Sequence, residues 1–135
     1  CILDDELNLI IKNNLKPGVK LFALFDSCFS GTILDLKYNY LEPSLTINSN
    51  IEDTLGQVLM ISGCADNQTS ADAVINNRNT GAMTFSFIET INTLGISVSV
   101  KHLVENMRKL LTDNRFEQIP QLSSGTAIDI DKSWV

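Results

Sequence analysis

Cysteine is scarce in this chain and histidine scarcer, with three of the first and one of the second among 135 residues. The three thiols, Cys1, Cys28 and Cys64, are an odd number without CxxC-type pairing, which leaves no metal-binding pattern and no disulfide framework. They read as free thiols of a reducing, cytoplasmic compartment. No apolar run approaches the roughly 20 residues that cross a bilayer, so no membrane partner is expected. No Lys/Arg-rich stripe is present either, and a net charge of −6 argues against nucleic acid. That charge suits a cationic partner or plain solubility. The length is too short for two ordinary domains, and 44% apolar residues are enough for a real core. The first residue is Cys rather than Met and a helix pattern follows almost at once, as expected for the interior of a longer chain.

The pattern along the chain is that of a layered α/β domain. In DDELNLIIKNNLKPG, residues Leu3, Leu7, Ile10, Ile11 and Leu15 recur at helical spacing, with acidic residues at the start and Pro17-Gly18 beyond the end. The continuous apolar run 20–26 predicts a strand buried on both faces of a mostly parallel sheet, and 57–64 predicts a second. Between them, the polar stretch 37–56 reads as a long surface loop. Two helices follow the polar segment 65–81. One carries a stripe of Met83, Phe87, Ile88, Ile91 and Leu94. The other is capped by Ser99 and lined by Val100, Leu103, Val104, Met107 and Leu111. A short strand is expected within 118–125.

The stretch LFALFDSCFSGT, residues 21–32, points to chemistry. In open α/β sheets, sites form beyond the carboxyl ends of strands, where Cys28 and Cys64 both fall. Cys64 reads as a small buried hydrophobe. Cys28 is followed by Ser30 and Gly31, which permit a sharp turn, and preceded by Asp26. A carboxylate close to a thiol raises the thiol pKa and suppresses the thiolate, so Asp26 is not the activating group. It faces a structural cation, or a cationic substrate, or it is held by backbone amides at the turn.

DSCFSGTILDL (26–36), MISGCADNQTSADA (60–73), GAMTFSF (81–87) and QIPQLSSG (118–125) together resemble the type I metacaspases, in the family's order and over nearly the whole chain. The resemblance implies a caspase-like α/β sandwich, incomplete at its N-terminal side. Residues 1–36 would be the end of the large-subunit region, 37–56 the connecting loop and 57–135 the small-subunit region. It implies a cysteine endopeptidase that cuts peptides and proteins after Arg or Lys. Cys28 would be the nucleophile, its N–H part of the oxyanion hole, and Asp26 the floor of the pocket for the basic side chain. Ca²⁺ would be the activating cofactor, held by Asp4, Asp5 and Asp35. On its own, the Asp4-Asp5-Glu6 run reads as ordinary charge at a helix start. Self-processing would fall at Lys37 or Arg78, and a monomer is expected.

Two positions depart from the family's pattern. Phe29 stands where the family has a non-catalytic His. The catalytic His belongs to an upstream SGHG-like motif that these residues do not contain, and His102, in the last helix pattern, does not match it. A thiol without a base stays mostly protonated, so the 135-residue polypeptide alone is expected to be inactive. The alternative is a non-catalytic metacaspase-like interaction module.

Overall fold

The acidic opening and its apolar stripe form the first helix, α1 (Asp4–Asn14), in the computed structural model, which describes residues 4–26, 34–41, 44–63, 72–75, 78–116 and 119–135. Leu7, Ile11 and Leu15 pack inward, whereas Ile10 is 56% exposed. Positions spaced by four drift slowly round a helix, so 7, 11 and 15 stay on one face and 10 falls to its edge. After α1 the chain turns through Gly18, whose φ of 85° suits glycine. It then runs β1 (Lys20–Phe25), β2 (Tyr38–Leu41), β3 (Ser44–Ile47), β4 (Gln57–Ser62), β5 (Asp72–Ile75) and β6 (Arg78–Gly81). Helices α2 (Ala82–Leu94) and α3 (Val100–Asp113) and strand β7 (Gln121–Ser124) complete the order.

Five strands form one sheet in the order β1-β4-β7-β2-β3. Among the described residues of this sheet, β1 and β4 run parallel, and the pairings β4–β7, β7–β2 and β2–β3 are antiparallel. The α/β layering is as expected, and the sheet is mixed rather than mostly parallel. Two features make the difference: β7 returns antiparallel to β4, and 37–56 holds a β-hairpin instead of a surface loop throughout. Tyr-Asn-Tyr-Leu and Ser-Leu-Thr-Ile alternate with a period of two, and that pattern outweighs the polar residues around it. Tyr40 anchors the hairpin to β7: its hydroxyl bonds the Ser124 hydroxyl at 3.0 Å and accepts the Ile128 N–H at 3.2 Å. β5 and β6 form a separate two-stranded antiparallel sheet before α2.

β4 separates two cores. Val58 and Met60 face α1 together with Leu34 and Leu36; Leu59 and Ile61 face α2 and α3. All four β4 residues are at most 1% exposed, because a strand with layers on both faces needs apolar residues at odd and even positions alike. β1 alternates the same way but is only half-buried, since it forms one edge of the sheet. Leu59→Ala is expected to cost about 3 kcal/mol in urea denaturation, as removal of a fully buried Leu does. A loss below about 1 kcal/mol would mean that the α2–α3 layer is not the main core.

The expected α3 stripe is buried at every position, and the Ser99 hydroxyl accepts the His102 N–H at 3.2 Å as its cap. The tail adds two more acceptors at the same helix end: Val100 N–H donates to Lys132 O and Lys101 N–H to Ile130 O. On α2, Met83 is buried and Phe87 stacks on Phe22 at 5.3 Å, while Ile88 and Leu94 remain exposed. Among the described residues, no helix is long and apolar enough to cross a membrane.

Candidate active site

Alternation along β1 carries directly to its tip. Leu21, Ala23 and Phe25 pack on the α1 side, Phe22 and Leu24 on the α2–α3 side. One more step of a two-residue period directs Asp26 to the α2 side. There it meets the start of α2. That helix begins on Gly81, which has no side chain to cap it, and its first turn has no acidic residue. Its N–H groups therefore lack a local acceptor. Asp26 supplies one from 58 residues away: Oδ2 accepts the Thr84 N–H at 3.0 Å and the Thr84 hydroxyl at 2.9 Å. The positive end of the helix dipole favours a carboxylate at this position.

Gly81 completes the arrangement by omission. A Cβ there would lie 1.8 Å from Asp26 Oδ2, so the carboxylate occupies the space a side chain would take. Of the three roles open to Asp26 in sequence, anchoring by an amide is seen, but the amide belongs to a distant helix rather than to the local turn. Thr84 and Gly81 did not stand out in the sequence. The available signal was a helix beginning GAMT with no capping side chain, which must obtain an acceptor from elsewhere.

β1 and β4 stay paired to their ends, where Gly63 N–H donates to Phe25 O at 2.8 Å. The chain positions of Cys28 and Cys64 follow from these two neighbouring tips, at the carboxyl edge of the parallel pair. Cys28 and Cys64 themselves, like Cys1 and Phe29, lie outside the described residues.

The predicted calcium residues fall on two elements that are tied together. Asn8, one turn on from Asp4 and Asp5, donates its side-chain amide to the carbonyl of Leu34. Asp35 follows with φ 44°, exposed between buried Leu34 and Leu36; aspartate is among the few side chains that tolerate this left-handed conformation. Asp5 is exposed as well, and the side chain of Asp4 lies outside the described residues. Among the described residues, no three His, Cys, Asp or Glu side chains converge at metal-binding spacing.

Lys37 enters β2 held at both ends. Its ammonium pairs with Asp53 at 3.2 Å and lies 5.7 Å from the centre of the Tyr38 ring; its carbonyl accepts the Asn48 N–H at 2.9 Å. Tyr38 donates its hydroxyl to the same Asp53 carboxylate at 3.1 Å. Partial burial first, then Asp53, push the Tyr38 phenol above its ordinary value, with Lys37 opposing. Arg78 opens β6, opposite Ile75. His102 is exposed in the first turn of α3.

Comparison with known proteins gives these features a family. The family model for the caspase domain matches residues 1–129. Metacaspase-1 of Saccharomyces cerevisiae is 35% identical over 184 aligned residues, covering 99% of this chain and 42% of the relative. Metacaspase-3 of Trypanosoma brucei brucei is 37% identical over 149, with the same coverage of each. The chain thus spans less than half the length of the curated relatives it matches. A crystal structure of protein GSU0716 from Geobacter sulfurreducens aligns with 98% of this chain and 56% of its own, at a TM-score of 0.64 and 22% identity, a likeness of fold. The chain belongs to the caspase-domain family of cysteine peptidases, and its relatives there are metacaspases.

Proposed function

We propose that the protein containing this chain is a calcium-activated cysteine endopeptidase that cleaves after Arg or Lys, with Cys28 as nucleophile and Asp26 as the acceptor for the basic side chain. One observation carries the reading. Asp26 stands at the carboxyl edge of β1, two residues before Cys28, and its two hydrogen bonds both fall on Oδ2. No Lys or Arg pairs with it among the described residues. A carboxylate that would only hinder the thiol is well used on a guanidinium, which it can bind in a fork. The thiolate would attack the scissile carbonyl, and the C–N bond would break as the amine leaves with a proton from the upstream His that the resemblance implies. Water would then hydrolyse the thioester to give the acid and return the thiol.

The donor chemistry of Asp4, Asp5 and Asp35 fits Ca²⁺, which takes hard oxygen ligands from separate segments. Asn8 already joins the two elements that carry them. These residues would hold the ion, which would supply charge to fix the segment after the nucleophile relative to α1. Processing is proposed after Lys37, whose hold on Asp53 has to open first, with Arg78 as the second candidate site. A monomer in a reducing cytoplasm completes the proposal.

The competing reading is a non-catalytic member of the family. It draws on His102, this chain's single histidine, which is exposed on α3 and far in sequence from the β1 tip. The full-length protein decides between the two, assayed on an Arg-containing fluorogenic peptide with and without calcium. Activation of about 5- to 150-fold is expected, the range of ordinary allosteric coupling. Asp35→Asn is expected to shift the half-activating calcium concentration upward, and Lys37→Ala to alter the fragments seen by intact mass after calcium addition. Absence of cleavage under both conditions would favour the non-catalytic reading.

A further inference from the structure

We infer that Thr84 and Gly81 are positioning residues for substrate specificity: together they fix the Asp26 carboxylate in the orientation that receives the basic side chain. The inference rests on the proposed role of Asp26 as the acceptor for Arg or Lys. Thr84 places two donors on a single oxygen, the backbone N–H at 3.0 Å and the hydroxyl at 2.9 Å. Two bonds to one oxygen fix the side-chain torsions and leave the other oxygen, Oδ1, with no hydrogen-bond partner among the described residues. Neither donor bears a full charge, so the attraction of the carboxylate for a cation is not cancelled as it would be by a structural Arg or Lys. Gly81 acts from the other side. Its φ of −61° and ψ of 139° are open to any residue, so the backbone does not require glycine. The space does: a Cβ would lie 2.4 Å from Asp26 Cγ and 2.9 Å from Oδ1, and the carboxylate would have to swing away.

Arg and Lys should respond differently to this loosening. A guanidinium binds a carboxylate through a planar fork and depends on its orientation, whereas an ammonium is a point charge that tolerates rotation. Thr84 therefore acts on the preference between the two as well as on affinity.

The test compares Arg and Lys peptides on the full-length protein carrying Thr84→Val, Thr84→Ser, Gly81→Ala or Asp26→Asn. Thr84→Val keeps the N–H and removes the hydroxyl. It is expected to raise KM for the Arg peptide about tenfold, the usual effect of losing a hydrogen bond to a charged group. Its kcat should stay within about threefold, and the Arg-over-Lys preference should narrow. Thr84→Ser should restore both. Gly81→Ala should reproduce the rise in KM with unchanged helical content by circular dichroism, and it carries the test if Thr84→Val fails to fold. The rate of Cys28 alkylation by iodoacetamide should match wild type in the Thr84 and Gly81 variants, which keep the Asp26 charge, and a general disturbance of the site would not allow that. If Asp26→Asn raises KM but Thr84→Val and Gly81→Ala leave KM and the Arg/Lys ratio unchanged, the positioning role is overturned and the acceptor role of Asp26 stands. If Asp26→Asn also leaves KM unchanged, both fall together.

Discussion

Cys28→Ala is expected to lower cleavage of an Arg-containing peptide by the full-length protein by about ten-thousand-fold or more, the scale on which loss of a nucleophile acts in comparable hydrolases. Alanine retains the backbone N–H at position 28, so any contribution of that group to an oxyanion hole survives. What disappears is the atom that forms the acyl-enzyme, and water must then attack the carbonyl unaided. Because β1 and β4 are paired up to Phe25 and Gly63, a truncation three residues further on should leave the sheet intact. Thermal midpoints of the two proteins should therefore agree within a few degrees, about 1 kcal/mol or less. Cleavage that persists in the Ala variant with calcium present would remove Cys28 from the mechanism, and Cys64, following from the neighbouring tip, would become the next thiol to examine.

Asp26→Asn should separate the two uses of this side chain. Its amide oxygen can still accept from the Thr84 N–H and hydroxyl, and Asn is as good a cap as Asp. The fold should therefore tolerate the change, with a stability loss of about 0.5 kcal/mol. The charge is gone, however, and a desolvated guanidinium left without its partner costs about 3 kcal/mol, which corresponds to a rise in KM for Arg of about a hundredfold. Asp26→Ala is expected to lose on both counts, since the orphaned Thr84 N–H adds about 1 to 2 kcal/mol of instability. Urea denaturation and steady-state kinetics on the same two variants provide the comparison. Equal stability of the Asn and Ala variants would show that Asp26 does not cap α2 in solution. A wild-type KM in the Asn variant would show that the carboxylate does not receive the substrate.

Much of the architecture could be read from neighbouring residues alone. The stripe Val100, Leu103, Val104, Met107 and Leu111 is wholly buried, and Ser99 caps the helix it precedes. The apolar runs became β1 and β4, and the expected final strand is β7. In each case the information lies within a turn or two of chain: helical period, strand length, and a cap three residues from the amide it serves. The run at β4 reads as a two-faced strand because both flanking layers impose the same apolar demand on every position.

The segment 37–56 reads as loop in sequence although 38–41 and 44–47 are strands. A hairpin's alternation over four residues is a weak signal beside Asn, Ser and Pro, and its stability comes from β7, more than 80 residues away at Tyr40–Ser124. The mixed direction of the sheet's strands likewise rests on long-range pairings, those of β7 with β4 and with β2. Asp26 is the sharper instance. Its residue type and its place before Cys28 announced a site, and three roles remained open. The choice among them rests on the start of α2, a helix without a cap that lies 58 residues along the chain. Short-range periodicity prescribes which elements form and which face each one buries, because those preferences act between residues a few bonds apart. Which strand lies beside which, and which carboxylate answers which helix end, depends on contacts between distant segments, and these exist once the elements have packed.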